Sequence, residues 1–495
     1  MLKKPLILII AAVIAIIVIS SVVNFFVGLF AEVKTFEVTD DIVCELKNGV
    51  LTFKGEGEIP SYDKKMIDSF EEKDDNYYFY WNYVKSGCAV DDKYDLNKLS
   101  YYVNILFGDI SDEYVETEQK LVSVGILKSE FLRAIGVYPW YSYRSEIKKV
   151  VIKEGITTIG DYAFYGLKNL ESVTLPKSLE SIGNKAFKDC SSMKKISKLP
   201  VNLNNIGEGA FEGTNLSNIM VASKNESFDA KNKILFTKDH SEIVLFLSDK
   251  KEYTIPDETE IIGSFAFCGS NIEEINFHNG VKEIGNSAFK SCVNLSELDL
   301  SNRITSIGTA AFEGCTNLNE IELPNHITKI SSWTFKNCTN LRYITLPESV
   351  TSIGKSAFEN CTNLVEIDLS SIKTVGAWAF KYCSSLQLVE FGEGLESIER
   401  YAFEKCFDLT EVNIPEGTKK LHDGAFYKCT GITKIKLPNT LDYVNVPFYK
   451  CDYICEVKFT GTSREWKENY DSGKDIIGKR TDYKVIYSEE NTSKE

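Results

Sequence analysis

Residues 311–318 read AFEGCTNL, and this stretch returns as TFKNCTNL at 334–341 and as AFENCTNL at 357–364. Each copy places a cysteine three residues after a phenylalanine. The same phenylalanine position recurs along the chain at steps of 22–24 residues, apart from one step of 56. A fixed period of this length is the signature of a repeat protein. The phenylalanines of the series are Phe164, Phe187, Phe211, Phe267, Phe289, Phe312, Phe335, Phe358, Phe380, Phe403, Phe426 and Phe448.

One unit of the repeat, residues 318–340, reads LNEIELPNHITKISSWTFKNCTN. Leu318, Ile321 and Leu323 follow the alternation of a short strand, and Pro324 then breaks it in a turn. The part around Phe335 reads as a compact turn or a short helix. A unit this short cannot bury its apolar residues alone, so neighbouring units must stack. The period predicts an α/β leucine-rich-repeat solenoid of about 12 units of about 22–24 residues, with one parallel sheet.

The repeated cysteines are open to several interpretations. Metal sites need ligands gathered in pairs, and catalysis needs one activated thiol, whereas every unit here supplies one equivalent cysteine. Stacked units bring these cysteines about 5 Å apart, so some disulfides are compatible with the spacing. A small buried side chain is the favoured interpretation, and no catalytic, metal or cofactor site is predicted. The predicted core ladder includes Phe312, Phe335, Phe358, Phe380, Phe403, Phe426, Cys315, Cys338, Cys361, Cys383, Cys406 and Cys429.

The charge balance argues against one class of partner. The chain has 495 residues and a net charge of −15, so a basic surface for nucleic acid is not expected. Four histidines leave little room for histidine-based catalysis.

The N-terminal segment differs in composition from the rest. Residues 6–30 contain no charge and follow Lys3 and Lys4. A membrane-spanning helix needs about 20 apolar residues, whereas the apolar core of a cleaved signal has about 7–15. The segment 6–30 therefore predicts a transmembrane signal anchor, with residues 1–5 in the cytoplasm and the repeat domain extracellular. Secretion after signal cleavage is the alternative.

The unit pattern resembles that of the BspA-like leucine-rich-repeat surface proteins. The resemblance is carried by IGTAAFEGCTNLNEIELP at 307–324 and IGKSAFENCTNLVEIDL at 353–369. Residues 31–62 are similar to the family's entry strands, and residues 460–487 to its closing segment, here followed by a polar tail at 488–495. The resemblance implies a non-enzymatic, adhesin-like surface protein with an extracellular protein or glycan ligand.

Two insertions interrupt the predicted solenoid, which spans residues 138–459. The first, residues 63–137, predicts a small helical and aromatic subdomain. Its aromatic residues can form a platform for a partner or a carbohydrate, or they can cap the first coil. These residues are Tyr77, Tyr78, Tyr80 and Trp81. The second insertion, at about residues 219–252, predicts a hairpin with its turn near residues 238–241.

The strands predict one exposed surface, because the residues on either side of the middle isoleucine in L-x-x-I-x-L point outward. This surface is acidic in the middle units. It can receive a basic partner, hold Ca²⁺, or form a solvated face that prevents aggregation of sheets. The predicted binding residues are Glu274, Glu297, Asp299, Glu320, Glu322, Tyr343, Glu366, Asp368, Glu390 and Glu411.

Three functions remain in contention from the sequence. The first is a membrane-anchored extracellular protein that mediates protein–protein or cell-surface interactions. The second is a structural spacer of the cell envelope without a specific ligand. The third is a carboxylate-dependent hydrolase using pairs such as Glu366 and Asp368, which the predicted open sheet disfavours because catalytic carboxylates need a shielded site.

Overall fold

The computed structural model describes residues 33–62, 140, 143–471, 476–477 and 483–488. The chain divides into two compact units, Met1–Phe228 and Asp229–Glu495. The predicted anchor at 6–30 and the aromatic insertion at 63–137 lie outside the described residues. Among the residues that are described, no helix is long and apolar enough to cross a membrane.

The described part of the first unit is built from short strands. Strands β1, β2 and β3 form an antiparallel entry meander, and the later strands continue from it in parallel. The strands are β1 (Lys34–Glu37), β2 (Ile42–Lys47), β3 (Val50–Gly55), β4 (Gly57–Ile59), β5 (Lys149–Ile152), β6 (Ile156–Ile159), β7 (Ser172–Thr174), β8 (Ser181–Ile182), β9 (Lys195–Ile196) and β10 (Asn205–Ile206).

The second unit repeats the same alternation of a longer and a shorter strand. Its elements are β11 (Phe228–Lys231), which begins at the boundary, β12 (Ile234–Thr237), β13 (Glu242–Phe246), β14 (Glu252–Thr254), β15 (Ile261–Ile262), β16 (Glu274–Asn276), β17 (Glu283–Ile284), β18 (Glu297–Asp299), β19 (Ser306–Ile307), β20 (Glu320–Glu322), β21 (Lys329–Ile330), β22 (Tyr343–Thr345), β23 (Ser352–Ile353), β24 (Glu366–Leu369), β25 (Thr374–Val375), β26 (Leu388–Phe391), β27 (Ser397–Ile398), β28 (Glu411–Asn413), β29 (Lys420–Leu421), β30 (Lys434–Leu437), β31 (Tyr443–Val444), β32 (Glu456–Phe459), helix α1 (Ser463–Trp466), a π-helical turn (Lys467–Asp471) and β33 (Lys484–Tyr487).

The prediction of one parallel sheet is wrong. The shorter strands form a second set of parallel ladders, for example β21-β23-β25-β27-β29-β31 in the second unit and β4-β6-β8-β10 in the first. Each shorter strand is two residues long in most coils, such as Ser352–Ile353, and pairs in register with the coils before and after it. Two residues are too few to show an alternating pattern in the sequence.

The fold class also needs correction. Each unit is a parallel β-solenoid with little helix, within the leucine-rich-repeat fold, and the described residues make about 14 turns in all. The segment around each core phenylalanine is a run of turns rather than a short helix. The count exceeds the predicted 12 because coils at the ends, such as the one made by β3 and β4, lack the phenylalanine motif.

The core phenylalanines stack on one another from coil to coil. In the second unit Phe335 and Phe358 are fully buried with ring centroids 5.4 Å apart, and Phe358 and Phe380 are 5.1 Å apart with nearly parallel rings. Offset stacking at this separation adds to the burial of large apolar surface. The predicted ladder phenylalanines Phe312, Phe335, Phe358, Phe380, Phe403 and Phe426 are all fully buried.

The repeated cysteines are reduced, buried thiols with a hydrogen-bonding role. Cys361 Sγ donates to the carbonyl oxygen of Phe335 at 3.1 Å, in the preceding coil. The same bond is made by every cysteine of the F-x-x-C series, so each joins two coils. The cysteine ladder consists of Cys190, Cys292, Cys315, Cys338, Cys361, Cys383, Cys406, Cys429 and Cys451.

Two backbone positions adopt the left-handed conformation in each coil that carries a core phenylalanine. They lie two residues before and two residues after the core phenylalanine, as at Ser356 (φ 51°) and Asn360 (φ 65°) around Phe358. A non-glycine residue in this conformation is strained by about 1–2 kcal/mol. The positions recur because the chain must reverse tightly on both sides of the buried ring.

The position after the core phenylalanine carries alternating charge in the second unit. Lys336 Nζ lies 3.0 Å from Glu359 Oε2, and Lys381 Nζ lies 3.0 Å from Glu404 Oε2. A third pair joins Lys290 to Glu313 at 3.2 Å. Along the coils this charge row therefore runs Lys290, Glu313, Lys336, Glu359, Lys381 and Glu404.

Reversal of one charge in this row should destabilise the second unit. Glu359→Lys places three lysines at successive coils, where the side chains of Lys336 and Glu359 are only 27% and 20% exposed. We expect a loss of about 2–3 kcal/mol in the free energy of unfolding, measured by urea denaturation and reduced at high salt.

The double variant Lys336→Glu with Glu359→Lys is the matched test of the row. It restores that pair, but it places two carboxylates side by side at positions 313 and 336 and two lysines side by side at positions 359 and 381. We therefore expect partial rescue, whereas complete rescue would show that Lys336 and Glu359 act as an isolated pair.

The second unit begins with an antiparallel hairpin. Strands β12 and β13 pair antiparallel, with residues 238–241 in the connection, inside the insertion predicted at about 219–252. His240 Nε2 lies 2.9 Å from Asp229 Oδ2, and the His240 ring stacks on Phe236 at 4.8 Å. Strand β13 then pairs in parallel with β15, so the hairpin starts the ladder of shorter strands.

Candidate binding face on the longer strands of the second unit

The longer strands of the second unit hold one row of side chains inward and two outward. In β20 the middle residue Ile321 is buried while Glu320 and Glu322 are exposed. The same pattern recurs in β18, where Leu298 is buried between Glu297 and Asp299. Alternation along a strand places every second residue on the same surface. The acidic face consists of Glu297, Asp299, Glu320, Glu322, Tyr343, Glu366, Asp368, Glu390 and Glu411, all exposed.

Glu274, the remaining predicted residue of this surface, is half-buried. It pairs in register with Glu252 of β14 on one side and with Glu297 of β18 on the other. The outward direction of the Glu274 side chain could be predicted from the strand pattern. The neighbouring strand β14, which flanks Glu274, could not be predicted from it.

Like charges stand side by side on the acidic face. Glu274 is opposite Glu297, and Asp368 is opposite Glu390 in the parallel register. Like charges directly across a pair of strands destabilise each other by tenths of a kcal/mol. None of the carboxylates of the acidic face has a lysine, arginine or histidine nitrogen within 4 Å among the described residues. Their charge is therefore not paired at short range among the described residues, and only Glu411 has a lysine, Lys434, opposite it in the strand register.

Two large apolar side chains lie exposed among these carboxylates. Tyr343 is 41% exposed and pairs in register with Glu320, and Leu388 is 48% exposed and pairs with Glu366. Arg342 lies beside the Tyr343 ring at 5.2 Å. Exposed aromatic and aliphatic side chains surrounded by polar groups are typical of protein-interaction surfaces.

The charge changes sign towards the end of the unit. Glu411 of β28 is opposite Lys434 of β30, and Lys436 is opposite Lys458 of β32. Lys434, Lys436 and Lys458 are exposed. A partner lying along these strands would meet an acidic region followed by a basic one, which fixes its direction.

Three other interpretations of the sequence concern a metal site, a pair of catalytic carboxylates and the aromatic insertion. No cluster of three or more His, Cys, Asp or Glu side chains suited to a metal ion occurs in the described ranges. Glu366 and Asp368 are both exposed on an open strand face. The aromatic residues Tyr77, Tyr78, Tyr80 and Trp81 lie outside the described residues, so the role predicted for them stays a prediction.

The repeat and its coils define the protein as a leucine-rich-repeat solenoid. The family model for the BspA-type leucine-rich repeat region matches residues 112–234, 247–365 and 353–470, in six copies. These ranges cover more than half of the chain, which therefore belongs to the family of BspA-type leucine-rich-repeat proteins. The family resemblance stated from the motifs is confirmed.

The chain is similar to several solved structures of bacterial proteins. A leucine-rich repeat protein from Eubacterium ventriosum is 22% identical, with 80% of this chain and 94% of that one covered and a TM-score of 0.45. A leucine-rich cell surface protein from Faecalibacterium prausnitzii is 16% identical, with 88% and 97% covered and a TM-score of 0.40. The pneumococcal vaccine antigen PcpA is 16% identical, with 93% and 99% covered and a TM-score of 0.37. A search of curated protein sequences finds no match.

Proposed function

We propose that this protein is an adhesin-like extracellular binding protein that holds a basic protein partner on its acidic face. The observation that carries the proposal is the row of exposed carboxylates around Tyr343 and Leu388, which form no ion pair with the described residues. Such a surface attracts a positively charged partner over distance and offers apolar contact once the partner is bound. Membership of a leucine-rich-repeat family whose structural neighbours include cell-surface proteins supports a role in protein–protein interaction.

Removal of the acidic face should weaken partner binding by about 100-fold or more at physiological salt, since several charge contacts are lost together. The variant replaces Glu297, Asp299, Glu320, Glu322, Glu366 and Asp368 with Gln or Asn. Binding of the detergent-solubilised full chain to an array of extracellular-matrix proteins measures the effect. A control of equal charge replaces Glu258, Glu348, Glu393, Glu396, Asp408 and Glu416, which are exposed outside the face.

The outcomes separate the proposed functions. A partner that the control retains and the face variant loses supports the acidic face. A partner that both variants retain contradicts it and directs attention to the insertion at 63–137. If the folded chain binds no member of the array, the spacer function is the better account.

We also propose that residues 6–30 anchor the chain in the membrane with the repeat domain outside the cell. Two features support this proposal: the segment 6–30 is long and contains no charged residue, and Lys3 and Lys4 precede it. Protease added to intact cells should then degrade the repeat domain while the chain remains in the membrane fraction without protease. Release of the untreated chain into the medium would favour cleavage and secretion instead.

A further inference from the structure

A second charged surface lies on the turns that follow the core phenylalanines in the last coils of the second unit. The two positions after Phe380, Phe403, Phe426 and Phe448 are filled mainly by lysine and tyrosine. The side chains belong to successive coils and thus line up along the stack. The Lys–Tyr patch consists of Tyr382, Lys405, Tyr427, Lys428, Tyr449 and Lys450.

The lysines of the Lys–Tyr patch are largely without counter-charges. Lys428 and Lys450 have no carboxylate oxygen within 4 Å in the described part of the chain, and each lies near a tyrosine ring, at 5.4 Å from Tyr427 and 5.7 Å from Tyr449. Lys405 Nζ donates to Tyr382 Oη at 2.6 Å. The one carboxylate at these positions, Glu404, lies 3.8 Å from Lys405 but is buried and paired more closely, at 3.0 Å, with a lysine outside the patch.

Lysine and tyrosine are unexpected at four positions of the patch, because the backbone there adopts the left-handed conformation that favours glycine. Tyr382, Lys405, Lys428 and Lys450 all occupy the left-handed position two residues after the core phenylalanine, with φ between 58° and 63°. Four other coils place glycine at this position, where the conformation carries no strain. Those glycines are Gly166, Gly213, Gly269 and Gly314. In the last coils long polar side chains are therefore present despite a conformational cost.

We propose that the Lys–Tyr patch binds an acidic polysaccharide, a linear chain of sugars that carry carboxylate or sulfate groups. The ammonium groups of Lys405, Lys428 and Lys450 recognise the anions, and the last two have no carboxylate within 4 Å among the described residues. Tyrosine combines an apolar ring with a hydroxyl that can bond to sugar hydroxyls. The patch repeats once per coil, so a polymer with regularly spaced anions can contact several coils at once and gain avidity.

The same features favour a polysaccharide over an acidic peptide. Tyr382 and Tyr449 are 37% and 46% exposed, which gives the partner amphipathic ring surface as well as charge. A stretch of aspartate or glutamate would form ion pairs with the lysines, but it has no apolar surface to pack against the exposed tyrosine rings. The patch is distinct from the acidic face, which repels any polyanion.

Binding of the full chain to a heparin oligosaccharide tests the proposal, with neutral dextran as the reference. Lys405→Gln, Lys428→Gln and Lys450→Gln together should weaken heparin binding roughly tenfold or more, since three charge contacts are lost. The matched control is Lys434→Gln, Lys436→Gln and Lys458→Gln, which removes the same charge from the basic end of the strand face. Retained binding in the control supports the patch, whereas loss in the control and not in the patch variant overturns the proposal.

Two further measurements complete the test. Tyr382→Ala with Tyr449→Ala should also weaken heparin binding while circular dichroism shows an unchanged fold; undiminished binding overturns the role of the rings. Polyglutamate that binds as tightly as heparin would identify an acidic protein as the partner class and overturn the polysaccharide. The acidic-face variant should keep its heparin binding, so failure of the two proposals can be told apart.

Discussion

Raising the pH from about 8 to about 10 should unfold the second unit under reducing conditions. Eight thiols of the cysteine ladder lie in this unit, and burial raises the pKa of most of them, with Cys292 reaching about 11. In the unfolded chain the same thiols ionise near pH 8.5. Because the thiols bind protons more tightly in the folded state than in the unfolded chain, the free energy of unfolding should fall as the pH rises.

The direction of the effect follows from the raised folded-state pKa. Below about pH 8.5 the thiols are protonated in both states, and their contribution to stability is fully present. Above it the unfolded chain loses protons that the folded chain keeps, so the free energy of unfolding falls by up to about 1.4 kcal/mol per thiol and pH unit. Eight such thiols remove on the order of 10 kcal/mol per pH unit, comparable to the whole stability of a domain.

A triple variant, Cys338→Ala, Cys361→Ala and Cys383→Ala, provides the control for this alkaline unfolding. It should be less stable at neutral pH because it loses three buried thiols, but its free energy of unfolding should fall less steeply between about pH 8.5 and about pH 10. Urea unfolding followed by circular dichroism at several pH values measures both quantities. An unchanged slope would assign the alkaline loss to tyrosines instead, such as Tyr253, whose pKa burial raises to about 12.

Phe358→Ala should destabilise the second unit by about 3–5 kcal/mol, the range for loss of a buried phenylalanine. Phe358 is fully buried and stacks on the rings of Phe335 and Phe380. Each coil of a solenoid contacts only its neighbours, so the cavity weakens two coil interfaces at once. The free energy of unfolding in urea is the quantity to measure.

Phe407→Ala is the matched control, because Phe407 is the same residue type in the same array and is 42% exposed. Its replacement should change stability by no more than about 0.5 kcal/mol. Equal losses in the two variants would contradict the view that the stacked rings hold the coils together.

The repeat could be predicted because its core residues recur in type as well as in position. Phe335, Phe358 and Phe380 mark the period, and the outward direction of Glu320 and Glu322 follows from the buried Ile321 between them. The second set of parallel ladders could not be predicted, since Ser352–Ile353 is too short to show a period. Its pairing depends on how closely the coils stack, which local sequence does not encode.

The role of the cysteines was predicted only in part. Burial follows from their place in the repeat, but the bond from Cys361 to the Phe335 carbonyl joins residues of different coils. The Lys–Tyr patch could not be predicted from the sequence for a related reason. The positions after the core phenylalanine vary in type from unit to unit, so Lys428 and Lys450 share a surface without sharing a motif.

The charge row also limits how the number of repeat units can change during evolution. Segments such as AFEGCTNL and AFENCTNL are nearly identical, so a whole unit could be added or removed while the core contacts between neighbouring coils are kept. Loss of one of the inner units, which carry Glu313, Lys336, Glu359 and Lys381, would bring two like charges together. Loss of two neighbouring units would keep the alternation. We therefore expect related proteins to differ in this region by an even number of repeat units.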